Sequence, residues 1–563
     1  MKKDYWPYLI LGIFLIGLLF IFISCGNPIR QFNPNTPTII SVFPEDKGNI
    51  PKLNIFITAT FDKAMNASTV NASSFSLSSA AGSVTGTVSY ETTGKMATFK
   101  PAANLVADTT YTATISDSVR SSGGDKMDLP YSWSFTTSTS TISGTPDASF
   151  GSDGMVIMGS QGKGSAIAVD NFGRILVAGS YFDTSDIKYH TAVWRYNPDG
   201  TPDGSFGNGG LSIQKNSVAG GIHPDVASSM VLDSDNKILV AGYSYDPSEK
   251  RVMSIWRLNP DGSLDTSFNS SGIVLHPGPT EEVAGWVWAE IGDSSITIDP
   301  ADRILVTSQT TLRRTDPGME YYYMVAWRYN PDGSLDSSFS DGTHEGFVVY
   351  PGGGNAIATY SAGKVLVVGS AYEHTNSTLG MRIWLIGADG KLERSSDTLG
   401  DKAGSVSCAK IDSSGAILVG GTHFGTGGAI WKFDPYGTLD TTFGQGGIAD
   451  LVGDLNERTG GPVFITLDSA GRILAARTKT IGTLSGGGTE IFKNYIETSR
   501  LNSNGSTDES FGSNGKIVYP DYSPPEDINI ESKGIITDLY GRILVLGESI
   551  QGSSTPTTIF CYK

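Results

Sequence analysis

The 563-residue chain carries a formal net charge of −17 and no cluster of Lys or Arg, which excludes the basic face that a nucleic-acid binder needs to displace counterions. Hydrophobic residues at 39% and aromatics at 10%, with charged residues at only 17%, exclude wholesale disorder. Its 69 glycines lie among short Val/Ile/Leu runs flanked by Asp, Asn, Gly and Pro, so an all-β chain of many strands and tight turns is expected.

At the N-terminus Lys2 and Lys3 precede an apolar run from Tyr5 to Ser24, followed by Cys25-Gly26-Asn27. A positive region, an apolar region and small residues at a processing point describe an export signal. The segment Phe22-Ile23-Ser24-Cys25-Gly26 resembles a bacterial lipoprotein box, with Phe22 where that family usually has Leu. The resemblance implies that Cys25 is lipidated and becomes the mature N-terminus; an uncleaved membrane anchor is the alternative. Either way the rest of the chain is expected outside the cytoplasmic membrane, in the cell envelope. Residues 26–37 are polar with three prolines and read as a linker.

From 38 to 138 seven short strand-like segments follow one another: Thr38–Phe43, Asn54–Phe61, Ser74–Ser78, Gly86–Tyr90, Ala97–Lys100, Thr110–Ile115 and Tyr131–Thr136. That density predicts a β-sandwich, with Tyr111 and Trp133 as core anchors. The motifs Phe61-Asp62-Lys63-Ala64-Met65-Asn66, Gly86-Thr87-Val88-Ser89-Tyr90, Thr98-Phe99-Lys100-Pro101, Thr109-Thr110-Tyr111-Thr112 and Trp133-Ser134-Phe135-Thr136-Thr137 resemble the bacterial Ig-like domain of S-layer and other surface proteins. The resemblance implies a stalk or spacer without catalytic residues. Asp62, Asp117 and Asp125 read as turn caps rather than calcium ligands.

From 144 to 563 one unit recurs seven times. An apolar strand (a) ends in Asp, as at Asp170, Asp233, Asp299, Asp412, Asp468 and Asp538, with Tyr360 once in that place. A turn leads into strand b, as in Gly173-Arg174-Ile175-Leu176-Val177-Ala178-Gly179. Strand c is aromatic, as in Trp194-Arg195-Tyr196-Asn197 and Trp256-Arg257-Leu258-Asn259. A Pro-Asp-Gly turn and a Ser-Phe-Gly-x-x-Gly segment lead to strand d. Seven four-stranded units predict a seven-bladed β-propeller. The repeat resembles the delta-60 repeat propellers of bacteria and, more distantly, the NHL type. The region opens on a lone d-like strand (Met155–Met158) and stops on a c strand (Thr557–Lys563), so these two are expected to pair and close the ring. Lys391–Gly404 lacks the Ser-Phe-Gly segment, which leaves the outer strand of blade 4 open.

The Asp-x-x-Gly and Asn-Pro-Asp-Gly turns recur around the ring, so they read as scaffold, Asp capping the turn and Gly supplying the positive φ. The strand-c tryptophans read as filling between blades. The b–c and d–a loops vary and emerge on one face, where a ligand site is expected. Blade 3 offers the richest loops: Glu281, Glu282, Trp286, Trp288 and Glu290 on one, and Arg313, Arg314, Tyr321 and Tyr322 on the other. Aromatic platforms beside carboxylates and guanidinium groups suit a protein or glycan ligand; simple packing of Trp286 and Trp288 in a strand pair is the alternative. Neither the six histidines nor the cysteines Cys25, Cys408 and Cys561 show metal-ligand spacing, and no cofactor or metal is expected. His374 and His423 lie on b–c loops of neighbouring blades. These readings add up to a monomeric, membrane-anchored binding or display protein; the alternative is a propeller enzyme, a glycoside hydrolase or lyase with a carboxylate pair.

Overall fold

The structure, a computed structural model, describes residues 35–563 apart from 51–54, 92–94, 138–142, 216–223, 281–285, 289–290, 315–319, 361–362, 373–378, 398–404, 424–426, 453–456, 485–489, 520–528 and 550–555. Cys25, Glu281, Glu282, Glu290 and His374 therefore lie outside the described residues. Among the described residues the only helical elements are two three-residue turns, and no helix is long and apolar enough to cross a membrane.

Residues 39–137 form a two-sheet sandwich. One sheet orders Ile39–Phe43, Ile57–Phe61, Met96–Pro101 and Gly86–Glu91; the other orders Gly48–Ile50, Tyr131–Thr137, Thr110–Ile115, Phe75–Ser79 and Gly82–Val84. The short strands Gly48–Ile50 and Gly82–Val84 add to the seven expected from the sequence. Alternation fixes which side faces in: Tyr111, Ala113 and Ile115 are buried while Thr110 and Thr112 are exposed. Phe75 centres the core, its ring 5.8 Å from both Phe99 and Trp133. Tyr111 is indeed an anchor, since its hydroxyl oxygen accepts the Val106 N–H at 2.8 Å from within the core.

The repeats form seven sheets of the same build, antiparallel from inner strand a to outer strand d. Blade 1 is Gly162–Val169, Ile175–Asp183, Lys188–Tyr196 and Leu211–Gln214; blade 2 is Val226–Leu232, Ile238–Tyr245, Arg251–Leu258 and Ile273–His276. Blade 3 is Ser294–Ile298, Ile304–Arg314, Glu320–Tyr329 and Phe347–Pro351, with Trp286–Trp288 added; blade 4 is Gly353–Tyr360, Lys364–Tyr372, Leu379–Ile386 and Leu392–Asp397. Blade 5 is Val406–Ile411, Ile417–His423, Gly427–Phe433 and Ile448–Val452; blade 6 is Glu457–Leu467, Ile473–Leu484, Glu490–Leu501 and Lys516–Tyr519. Blade 7 takes Ile530–Thr537, Ile543–Ser549 and Thr557–Tyr562 from the C-terminal end and Met155–Ile157 from the start of the repeats. Each inner strand packs against the next, and that of blade 7 against that of blade 1, closing the circle. The clasp pairs Met155 with Phe560 and Ile157 with Thr558. Blade 4 does have an outer strand, Leu392–Asp397, with Ser395 opposite Trp384.

Side chains alternate along each strand between the two neighbouring blades. Ala192 and Trp194 join the core between blades 7 and 1, whereas Val193 joins Trp256 and Phe206 between blades 1 and 2. The tryptophans Trp256, Trp327, Trp384 and Trp431 are fully buried in this role. Asp170 caps its turn by accepting the N–H groups of Phe172 and Arg174, both at 2.9 Å, and its second oxygen takes Arg174 Nε at 2.6 Å.

A second repeated device joins the blades. Arg195 of strand c donates through Nε to Asp203 at 2.8 Å and through Nη2 to Ser205, lies over the Phe206 ring at 4.4 Å, and reaches the Pro260 carbonyl of the next blade. Arg257 repeats this with Asp265, Ser267, Phe268 and Pro331, and Arg328 with Asp336, Ser338, Phe339 and Ala388. Burial pulls Arg195 down to about 10, with Arg174 adding to the effect, so the guanidinium stays charged at neutral pH. The Pro-Asp-Gly turn of the next blade lies directly on the Phe: a Cβ on Gly262 would stand 2.9 Å from the Phe206 ring, which explains the glycine. The backbone bond Gly207 N–H to Asp261 C=O seals the same seam at 2.8 Å. In blade 7 Cys561 stands where the Arg would be, and Arg542 replaces it, bonding Asp538, Asp147 and the Pro198 carbonyl.

Between blades 4 and 5 this device is missing, because blade 4 lacks the Ser-Phe-Gly segment. There the Tyr360 hydroxyl donates to the Pro435 carbonyl, the bond that an Arg makes elsewhere. The one departure from Asp at the end of strand a thus compensates for the lost segment.

The Ig-like domain sits against the turn face of the propeller. Leu539, in the a–b turn of blade 7, belongs to the sandwich core, and the Tyr540 ring meets Phe43 edge-on at 5.6 Å. Other a–b turns carry polar or small residues there, such as Ser234-Asp235 and Ser413-Ser414, except Phe172 of blade 1, which also lines the gap facing this domain.

Candidate ligand-binding face and axial channel

With the a–b and c–d turns on the side facing the Ig-like domain, the b–c and d–a loops emerge on the opposite face. Blades 3 and 6 rise highest there. Their b and c strands run 11 and 10 residues in blade 3 and 12 each in blade 6, against 7 to 9 in the other blades. Strand c of blade 7 is shorter still, at 6 residues.

In blade 3 the upper part of strand b pairs on its inner side with Trp286–Trp288, Trp288 opposite Leu312, and on its outer side with strand c, Leu312 opposite Tyr321. Trp286 and Trp288 therefore lie in a three-stranded wall rather than on an open loop. The Trp288 ring packs edge-on against Tyr323 at 5.2 Å. Arg313 is exposed, Tyr321 and Tyr322 are half-buried, and Arg314 is opposite Trp286 in the backbone register. The wall thus gathers Trp286, Trp288, Arg313, Arg314, Tyr321 and Tyr322, with part of its aromatic surface used internally. In blade 6 strand a is extended likewise, with Gly460 opposite Lys479, and the exposed Phe492 lies on the rising strand c.

Between these walls lies the axial channel, a cavity of about 460 Å3 lined by strand a of every blade. Its lining depends on a repeated irregularity. In blades 1, 2, 4, 5 and 7 the ladder to strand b skips one residue: Ser165, Ser228, Asn355, Ser407 and Lys533. Such a bulge leaves the extra residue unpaired and re-aims its side chain, here among the residues lining the channel. Blade 3 lacks the bulge and contributes Asp293 just ahead of its inner strand. Ser165 and Asn355 make no hydrogen bond among the described residues, whereas the Ser407 hydroxyl accepts the Val463 N–H at 3.1 Å. Lys533 lies between Glu531 at 3.1 Å and Glu548 at 3.2 Å. Those two carboxylates raise its pKa against the opposing effect of burial, which is the largest single influence. Deeper along the axis come Ile167, Met230, Ile296, Ile357, Ile465 and Ile535, with Phe464 and Lys410 also on the wall. Sequence reasoning passed over this collar. Its trace in the sequence is one polar residue set among small ones at the start of strand a, as in Gly164-Ser165-Ala166 and Gly354-Asn355-Ala356.

Three of the histidines pair with carboxylates: His190 with Asp186 at 2.8 Å, His344 with Asp341 at 2.7 Å and His423 with Asp450 at 2.6 Å. Asp183, Asp186 and His190 bring ligand atoms within 4.8 Å of one another, but the Lys215 ammonium already sits on Asp183 and His190 on Asp186. In blade 6 Arg477 stands where every other blade except blade 3, which has Ser308, places a tightly packed glycine such as Gly179. It is buried with Glu497 at 2.9 Å, and Lys479 is 3.5 Å from the same carboxylate group.

Residues 33–137 match the bacterial Ig-like domain family, and residues 173–206, 234–268 and 325–339 match a β-propeller family described as a domain of unknown function, DUF5122. No curated protein matches the chain. Among solved structures, Sqt1 from Chaetomium thermophilum is 12% identical over 72% of this chain and 100% of its own, with a TM-score of 0.36. A putative gluconolactonase is 12% identical over 64% and 99%, with a TM-score of 0.28. The N-terminal part of the bacterial S-layer protein SbsC is 13% identical over 43% of each chain, with a TM-score of 0.17. Likenesses this distant say nothing of ligand or activity.

Proposed function

We propose that the protein is an exported, membrane-anchored display protein whose propeller binds a protein or polysaccharide ligand on its variable-loop face. The observation that carries this reading is the placement of the Ig-like domain. It packs on the a–b turn of blade 7 through Phe43, Leu539 and Tyr540, faces the turns of blades 1 and 2 across a gap, and leaves the variable face and the channel mouth open. The N-terminal leader and its Cys25 precede that domain, so an anchor there holds the propeller by its scaffold side. The kinship with delta-60 propellers rests on the repeat motifs themselves and carries no ligand with it.

The test is binding by the full-length protein in detergent, screened against a glycan array and against envelope proteins by pull-down. Capture that is lost when blade 3 wall residues Arg313 and Tyr322 are replaced by Ala, while a turn-face variant such as Asp199→Ala binds normally, supports the reading. Equal loss in both variants, or no capture at all, overturns it. Cleavage of a bound polysaccharide would replace display by catalysis. For the anchor, a palmitate analogue is expected to label the wild type and not Cys25→Ala; equal labelling overturns lipidation at Cys25.

A further inference from the structure

We propose that the mouth of the axial channel is a binding site for a neutral carbohydrate, taking the terminal one or two sugar units of a glycan into the lumen. The proposal rests on the reading of the variable face as a ligand-binding face and names the chemistry that this face recognises.

A sugar ring presents hydroxyl groups around its edge and C–H groups on its faces, so its site needs short polar side chains above an apolar surface. The channel has that order. Nearest the variable face the bulges turn Ser165, Ser228, Asn355 and Ser407 toward the axis, joined by Asp293 and Lys533. Serine, asparagine and aspartate together supply both donors and acceptors at short reach, and among the described residues the side chains of Ser165 and Asn355 have no partner. Below them the wall turns to isoleucine and methionine with Phe464 among them. In five inner strands the bulge falls at the same height and there adds a polar group to the lumen, whereas blade 6 is irregular higher up, between Glu457 and Thr459 and between Gly460 and Val463.

Charge decides between neutral and ionic sugars. Lys533 is already matched by Glu531 and Glu548. The other charged groups on the wall are Asp293 and Lys410, one of each sign. The lining carboxylates Asp293 and Glu548 balance the ammonium groups of Lys410 and Lys533 in number, and Lys533 is already held, so an anionic sugar gains no net attraction and a neutral one incurs no charge desolvation. The volume of about 460 Å3 falls within the ~300–1,000 Å3 of small-ligand pockets, which admits a short oligosaccharide and excludes a folded partner.

The test measures affinity of the full-length protein in detergent for neutral and uronic-acid oligosaccharides by calorimetry, with wild type, Asn355→Leu, Ser165→Leu and the turn-face variant Asp199→Ala. Asn355→Ala stands in if a leucine variant fails to melt cooperatively. The expected result is binding of neutral oligosaccharides, competed by their free terminal disaccharide, weakened at least tenfold by either collar substitution and little changed by Asp199→Ala. Neutral sugars bound equally by the collar variants overturn the channel site and leave the variable face as the binding surface. Binding of uronic acids alone, or of a protein partner alone, overturns the channel site in the same way. Absence of any ligand overturns both.

Discussion

Arg257 holds two blades with one guanidinium: it pairs with Asp265 inside its own sheet and reaches the Pro331 carbonyl of the next. Removing one partner of a buried pair leaves the other unpaired, so Arg257→Ala should cost about 3–5 kcal/mol. Chemical denaturation checks this, and Asp199→Ala, at an exposed turn, should cost much less. A second residue gives the stability a pH dependence. Burial beside Trp327 and Phe347 depresses His276 from 6.5 to about 4. The native state therefore favours the neutral ring: its contribution is fully present above pH 6.5 and is lost as pH falls toward 4, on the order of 3 kcal/mol at most. His276→Phe should flatten the melting temperature over that window; an unchanged slope would show that another group controls it. At this scale local chemistry was legible and distant chemistry was not. Asp170 and its equivalents could be read as turn caps because their partners lie two and four residues away. The arginines could not be assigned, because Pro260 and Pro331 come from the following repeat.

Among elements, the seam between blades 4 and 5 is the plainest departure from the pattern. Other seams combine a basic side chain (an Arg, or Lys432 in blade 5), the buried Phe and the backbone bond; this one has Tyr360 on the Pro435 carbonyl. Tyr360→Phe should lower stability by about 1 kcal/mol. By hydrogen exchange, amides of Leu379–Asp397 should open faster than those of Lys188–Gln214, and equal protection would mean that Tyr360 fully replaces the missing set. The sequence announced this weak blade through the absent Ser-Phe-Gly, though not the strand Leu392–Asp397 that forms regardless, since sheet pairing to Trp384 needs only extended backbone. The collar bulges escaped notice for the opposite reason. One inserted residue is visible only against a partner strand, and strand pairing is not written in a single segment.

For the whole molecule, the contact between sandwich and ring makes one body from two domains. The a–b turns looked interchangeable, yet only blade 7 places Leu539-Tyr540 at its tip, and those residues insert into the Ig-like domain. Replacing both by Ser should loosen the joint without unfolding either part. Small-angle scattering should then show a larger radius, and calorimetry two separated transitions where the wild type has one. A single unchanged transition would mean that the remaining contacts suffice.

The pairing of Met155–Ile157 with Thr557–Tyr562 also sets an order on synthesis. The Lys563 carbonyl takes N–H groups from Ser143, Gly144 and Thr145, so the two ends of the ring meet at one place, about 400 residues apart along the chain. A growing or threading polypeptide can stack six blades early but keeps two unpaired edges until those final strands emerge. Closure thus waits on the last strands: a chain cut short before Thr557 stays an open arc with two unpaired sheet edges, exposed to pairing with other chains and to proteolysis, while a chain that carries them becomes a sealed ring.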